Sequence, residues 1–187
     1  MFRRRSQRRP LRLLGRIRRG RRAPQELILA NQMLESGNYQ GAAEQFEAIA
    51  RAAESRGGRR APQFYLQAGH AHILAGNSGT GLAHMKHGLS LLAKRAEWRR
   101  FYNVGNRIVE ELKQRGLGTE ANQVSEFLKA NLPGNISLPS SALPIKKSVL
   151  PTHCPSCGGA LRPDEIEWLD EITAECAYCG SLVRETD

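Results

Sequence analysis

Four cysteines arranged as two Cys-x-x-Cys pairs constrain the fold of this chain more than any other feature. The first pair is Cys154 and Cys157, the second is Cys176 and Cys179, and eighteen residues separate the pairs. Two cysteines three positions apart in a tight turn can direct both sulfurs at one point, so two such turns supply a tetrahedral set of thiolates. The spacing therefore predicts one structural zinc ion bound by all four cysteines.

A glycine follows the second cysteine of each pair, where the turn favours a left-handed backbone that glycine adopts freely. With Gly158 and Gly180 at these places, residues 154–159 and 176–181 resemble the two knuckles of a zinc ribbon. The resemblance implies a small β domain over residues 152–187. Its strands are expected at residues 160–162, 172–175 and 182–183, with Trp168 covering the core. Burial alone cannot fold so small a domain, so zinc is expected to supply much of its folding free energy.

Other uses of paired cysteines fit less well. A thioredoxin-type redox site needs one pair in a larger strand–helix setting. Two disulfides are disfavoured because no secretory signal is visible, and a cytoplasmic protein keeps its cysteines reduced. Four thiolate ligands leave no open position for a catalytic water, which indicates a structural ion. Iron in the same tetrahedral site remains an alternative.

Positive charge is concentrated at the start of the chain, although the whole chain has a net charge of +10. Residues 1–22 hold eleven arginines and no acidic residue, whereas residues 152–187 hold two basic and eight acidic residues. We expect residues 1–22 to be a disordered basic arm that meets an anionic surface, either nucleic acid or anionic lipid, or the acidic end of the chain itself. The arm arginines are Arg3, Arg4, Arg5, Arg8, Arg9, Arg12, Arg16, Arg18, Arg19, Arg21 and Arg22.

Residues 23–133 are predicted to be helical throughout, because apolar residues recur three or four positions apart between short glycine-containing turns. The turn spacing favours antiparallel pairs of helices. Residues 134–151 contain three prolines and no periodic pattern, which predicts an extended linker. We therefore expect the helical domain and residues 152–187 to pack independently.

Small and large residues recur in the helical segment at offsets of 39 and 40 positions. The matching sets are Ala30, Met33, Ala42 and Phe46, then Gly69, His72, Gly81 and Met85, then Val109, Leu112 and Ala121, with Ser125 in place of the large residue. The pattern resembles the tetratricopeptide (TPR) family, in which small residues stand where paired helices touch, although the usual period is ~34 residues. The resemblance implies a mainly α fold, an antiparallel helical-hairpin solenoid of about three repeats. A plain helical bundle without a groove is the alternative.

In such an array the first helix of each pair lines a concave groove that binds a protein or peptide. The residues expected in the groove are Asn31, Leu34, His70, Ile73, Arg107 and Glu110. The turns that follow the first two pairs should share one basic rim, which includes Arg60 and Arg95. This rim is expected to contact an anionic partner or to hold the acidic C-terminal segment against the array.

Few residues suggest catalysis. His70, His72, His84 and His87 have no carboxylate nearby in sequence to complete a metal site, so we interpret them as ordinary helix residues. No Ser-His-Asp order, phosphate loop or transmembrane segment is present. We expect a cytoplasmic, non-enzymatic adaptor that has no transmembrane segment but can lie at a membrane surface. The alternative is a zinc-ribbon protein that binds DNA, or RNA on the ribosome.

Overall fold

The computed structural model of the protein describes residues 24–133, 150–162, 166–168 and 172–184. The basic arm, from Arg3 to Arg22, and most of the proline-containing linker lie outside the described residues. The predictions made for those two segments, and the domain boundaries drawn from them, stay predictions.

Residues 25–131 form six helices, and each helix packs against its neighbour along the chain. They are α1 (Gln25–Glu35), α2 (Tyr39–Ser55), α3 (Ala61–Leu74), α4 (Ser78–Lys94), α5 (Trp98–Gln114) and α6 (Gly118–Asn131). The prediction of a mainly α-helical segment built from packed helices is confirmed. None of these helices is both long enough and apolar enough to cross a membrane.

The connections between the helices use one repeated turn. After α1, the N–H of Asn38 donates to the carbonyl of Met33 at 2.9 Å, and Gly37 adopts a φ of +82°. The same pattern follows α4, where the N–H of Glu97 donates to the carbonyl of Leu92 at 3.0 Å. Here, however, an alanine, Ala96, occupies the left-handed position with a φ of +56°. Among the described residues, Ala96 is the only residue other than glycine that has a positive φ.

The backbones of α3 and α4 touch where glycines face each other. A Cβ added at Gly69 would lie 2.7 Å from the carbonyl oxygen of Gly81, and one added at Gly81 would lie 2.8 Å from that of Gly69. In the third pair, Gly105 of α5 lies directly against the side chain of Leu128. Gly69 and Gly81, two small residues of the repeat pattern, therefore allow α3 and α4 to approach closely, whereas the third pair uses Gly105, which the pattern did not include.

A small antiparallel sheet forms near the second cysteine pair. Its strands are β1 (Glu167–Trp168), β2 (Thr173–Glu175) and β3 (Leu182–Arg184), in the order β1-β2-β3. Ala174 pairs with Val183 on one side and Trp168 on the other. Only the backbone of Trp168 is described, so the prediction that its side chain covers the core is not tested.

The strand expected at residues 160–162 does not form. Ala160 makes an isolated bridge with His153, and the N–H of Leu161 donates to the carbonyl of Thr152 at 2.8 Å. The segment after the first cysteine pair therefore bonds with the residues just before that pair. Since its backbone groups are used there, the third strand of the sheet comes from residues 167–168 instead.

The C-terminal part of the chain packs against the helices. One cluster of buried side chains joins α1, α2 and α3 to all four cysteines, Leu161, Tyr178 and Val183. A second cluster joins α3 to α4, α5 and α6, and its buried members in the described part of the chain all lie within these four helices. The expectation of independent packing thus differs from the contacts made among the described residues.

Candidate metal centre

The four cysteine sulfurs lie together at the spacing of a tetrahedral metal site. The Sγ atoms of Cys154 and Cys179 are 3.7 Å apart, and those of Cys157 and Cys176 are 3.9 Å apart. A tetrahedral ion with metal–sulfur bonds of about 2.3 Å requires sulfur–sulfur edges of about 3.8 Å. No disulfide forms, and each cysteine is at most 5% exposed. The four thiols can therefore hold one metal ion in a closed, buried site.

Two equivalent turns position the sulfurs. In the first, the N–H of Gly158 donates to the carbonyl of Cys154 at 2.8 Å, and in the second, that of Gly180 donates to the carbonyl of Cys176 at 2.9 Å. Both glycines have the left-handed backbone expected from the sequence, with φ values of +74° and +76°. The N–H of Gly159 also points at the Cys157 sulfur, at 3.4 Å. Such N–H groups stabilise thiolate charge.

The four thiols share hydrogen bonds, and this acidifies two of them. Hydrogen bonding from Cys157 and Cys176 lowers the pKa of Cys154 to about 6. Hydrogen bonding from the neighbouring thiols also lowers the pKa of Cys179, whose sulfur lies 3.2 Å from the hydroxyl of Ser181. Hydrogen bonding among the same thiols raises the pKa of Cys157 and Cys176.

The first cysteine turn is bound directly by α1. The side-chain amide of Asn31 donates a 2.7 Å hydrogen bond to the carbonyl of Cys157 and a second, of 3.0 Å, to the carbonyl of Leu27. Asn31 is only 5% exposed, and Gly158 lies against its Cβ. Asn31, which was expected to contact a peptide in the groove, therefore contacts the chain's own first cysteine turn.

The second cysteine turn is bound by α3. The side-chain amide of Gln67 donates to the hydroxyl of Tyr178, which lies between the second pair of cysteines and is 3% exposed. Burial raises the pKa of Tyr178. The guanidinium of Arg60 pairs with Glu175 at 2.6 Å and lies so close to Gly180 that a Cβ there would collide with it. One arginine of the basic rim thus contacts the acidic C-terminal segment. This is one of the two roles that the sequence predicted for the rim.

The two rim turns are joined to each other as well. Arg95, which follows α4, donates to the carbonyls of Arg59 and Gly58 at 2.7 and 2.9 Å. The two turns are 36 residues apart in sequence, and the repeated hairpins bring them to the same edge. The basic rim expected from the sequence is therefore present in the described residues at this point.

The other predicted groove residues lie in three different surroundings. His70, Arg107 and Glu110 line one cleft of about 450 Å³ between α3, α5 and Arg162 of the C-terminal part. Asn31, Leu34 and His70 line a smaller cavity of about 80 Å³ next to the first cysteine turn. Ile73 lines neither of these; it is 8% exposed and packs on Gly81 of α4, because its side chain points between the helices of its own pair.

Charged groups in the larger cleft are paired. Nε2 of His70 lies 2.8 Å from a carboxylate oxygen of Glu111, and Arg115 reaches the same oxygen at 3.3 Å. Burial acts to raise the pKa of Glu111, but hydrogen bonding and charge from His70, together with the charge of Arg115, lower it to about 2. Glu111 therefore remains ionised at neutral pH, and the cleft presents both signs of charge to solvent.

A search of protein-family models, of curated proteins and of solved structures found no match to this chain. What the cysteines can do therefore follows from their own geometry. Sequence reasoning did not identify Gln67, Tyr178 or Ser181 as residues of the site. Tyr178 had one available signal, since it is the large aromatic residue inside a cysteine pair. Gln67 had none, because only the fold brings α3 to the cysteines.

Proposed function

We propose that the protein is a non-catalytic adaptor in which a TPR-like helical array carries a structural zinc ribbon and binds a protein segment beside it. The observation that supports this most directly is the shared cleft. His70, Arg107 and Glu110, from positions expected to line a TPR groove, meet Arg162 of the cysteine-containing part. The binding surface is then a composite of α3, α5 and the ribbon.

Zinc is the ion that best fits the four cysteines. Tetrahedral thiolate sites select zinc over hard ions such as magnesium, and the observed sulfur edges of 3.7 and 3.9 Å agree with zinc–sulfur bonds. Four protein ligands leave no position for substrate or water, so the ion has a structural role. This supports an adaptor rather than an enzyme.

The helix contacts support the TPR-like arrangement. Backbone contact between Gly69 and Gly81 corresponds to the place where that family requires small residues. The longer repeat is accommodated by long second helices, since α2 and α4 each have 17 residues. Three hairpins of this kind stack with their first helices on one face, which is the face that the ribbon partly covers.

The partner is proposed to be an extended, polar peptide. The cleft contains three arginines, two glutamates, a glutamine and a histidine, and lacks an apolar lining for a hydrophobic ligand. A peptide with acidic side chains would meet Arg107, Arg115 and Arg162, while its backbone meets Gln114. Charged groups of this kind set orientation and specificity more than affinity.

A photo-crosslinking amino acid placed at Glu110 tests this function in the full-length protein. We expect it to capture a specific peptide segment from native cells, and the matched control at Asn122, exposed on α6, not to do so. The double substitution Arg107→Glu and Arg162→Glu should reduce capture at least tenfold. Equal capture at both positions, or capture unaffected by the charge reversals, would show that the cleft is not the binding surface.

A second candidate function, nucleic-acid binding, rests on the arm, whose eleven arginines have no acidic residue among them. Contacts to phosphates give strong, salt-dependent and sequence-independent affinity. Binding of the full chain and of a chain lacking residues 1–22 to DNA, RNA and anionic vesicles, measured in parallel, distinguishes nucleic acid from lipid. Loss of binding to all three on deletion, with the cleft crosslink retained, assigns the two surfaces to separate tasks.

A further inference from the structure

A second group of metal-ligating side chains lies away from the cysteines, between α2, α3 and α4. It consists of Glu47, His72 and His84, one residue from each helix. Their ligand atoms all lie within 4.8 Å of one another. The two histidines have no carboxylate near them in sequence. The carboxylate comes from α2, the helix that precedes α3.

His72 is buried without a hydrogen-bonding partner among the described residues. It is 6% exposed, and neither of its ring nitrogens has a hydrogen-bond partner in that part of the chain. Its Nε2 lies 3.8 Å from Oε2 of Glu47, beyond hydrogen-bonding distance. Buried polar groups in proteins are nearly always satisfied, so an unpartnered imidazole aimed at a carboxylate indicates a missing partner. A cation between the two groups would satisfy both.

The distances fit such a cation. Nε2 of His84 lies 3.5 Å from the same Oε2 atom of Glu47 that His72 faces. A tetrahedral ion with bonds of about 2.0–2.1 Å requires ligand–ligand edges of about 3.3 Å. The two separations from Glu47 are therefore within about half an ångström of that edge. The rings of His72 and His84 are stacked, with centroids 5.3 Å apart.

We infer that Glu47, His72 and His84 form a second metal site, which binds a borderline divalent transition ion such as zinc. Two imidazoles and one carboxylate suit ions of this class, whereas magnesium and calcium prefer oxygen ligands. The side chains of His84 and Glu47 are 15% and 21% exposed, so the ion can enter from solvent and keep a water as its fourth ligand. The site thus differs from the closed four-cysteine centre.

A neighbouring arginine competes with the ion. Arg51 pairs with Oε1 of Glu47, the carboxylate oxygen that does not face the histidines. Its side chain is 71% exposed, so it can move away without disturbing the core. Removing this positive charge should strengthen binding of a cation, which is the opposite of what a loss of folding would do.

The test is calorimetric titration of Zn²⁺ into the full-length protein whose cysteine site already holds zinc. We expect a second equivalent to bind, and excess Mg²⁺ not to displace it. His84→Ala and Glu47→Gln should each weaken this equivalent at least tenfold. The matched control is His87→Ala, one turn further along α4, which should leave it unchanged because His87 pairs with Glu54 instead.

Arg51→Ala should tighten the second equivalent about two- to fivefold, the range expected for removal of one exposed ion pair. A variant that fails to fold cannot bind the second zinc ion more tightly, so this gain in affinity separates the proposal from a loss of folding. Absence of a second equivalent, its retention in His84→Ala, an equal loss in His87→Ala, or unchanged affinity in Arg51→Ala would each overturn the assignment.

Discussion

The side-chain amide of Asn31 donates a hydrogen bond to the carbonyl of Cys157, a residue 126 positions further along the chain. The bond joins the first helix of the array to the turn that holds two of the four cysteines. Together with the shared buried cluster, this bond joins the cysteine cluster to the helical array in the described residues.

Cys176→Ser should remove about one metal equivalent per chain and unfold residues 150–184, since metal binding supplies much of the folding free energy of so small a unit. Most of the helical circular dichroism should remain, because a second cluster supports α3 to α6, and any loss should come from α1 and α2, which share a cluster with the unfolded part. Elemental analysis and limited proteolysis measure the two effects. A variant without this metal whose C-terminal part still resists protease would contradict the prediction.

Asn31→Ala should destabilise the protein by about 1–3 kcal/mol, because the buried carbonyl of Cys157 would lose its partner. Amide hydrogen exchange should accelerate in residues 154–158 more than in α5. The control is Gln32→Ala, the next residue on α1, whose side chain is exposed. Equal effects of the two substitutions would show that the hydrogen bond does not hold the turn.

Tyr65 should make stability fall at alkaline pH. Burial, and then the hydrogen bond to Glu54, raise the pKa of Tyr65 to about 12. Because this value lies above that of the unfolded chain, about 10, the contribution is complete below pH 10 and is lost as the pH rises toward 12. Tyrosinate absorbance measures the titration.

The chain has four tyrosines. Two of them, Tyr65 and Tyr178, should ionise late, since the pKa of each is raised. Tyr65→Phe should remove one late step and flatten the alkaline loss of stability. Tyr102→Phe, at a position 39% exposed, should leave both late steps in place. If all four tyrosines of the folded protein ionised near pH 10, the role assigned to burial would be refuted.

Ala96→Gly should stabilise the protein by about 0.5–1 kcal/mol, because glycine removes the strain of a left-handed alanine while adding some entropy to the unfolded chain. Thermal or denaturant unfolding measures the change. Ala75→Gly serves as the opposite control, since Ala75 ends α3 with a right-handed φ of −76° and should lose stability as glycine.

Local features could be predicted from the sequence because short-range chemistry decides them. The spacing of the cysteines and the glycines after them predicted the two metal-binding turns, and the apolar period predicted the helices. The prediction of a strand at residues 160–162 was wrong, because the backbone of Leu161 hydrogen-bonds with that of Thr152 instead. Nothing local in the sequence distinguishes these two pairings.

Apart from the basic rim, whose turns the repeat brings together, contacts between distant segments could not be predicted. Asn31 was assigned to a peptide groove, and only the fold shows that Cys157 occupies its amide. The histidines of α3 and α4 were interpreted as ordinary because Glu47 lies 25 residues before His72 in sequence. Pairings of this kind depend on how the hairpins stack, which a single sequence does not specify.

The cluster that joins α1, α2 and α3 to the cysteines has a consequence for biosynthesis. During translation, Leu27 and Ala30 leave the ribosome long before Cys154 and Val183, yet all four belong to the same core. The cluster of α3 to α6 includes no buried side chain from the later described residues, so it can form before they are made. We therefore expect α1 to stay incompletely covered until the cysteines emerge.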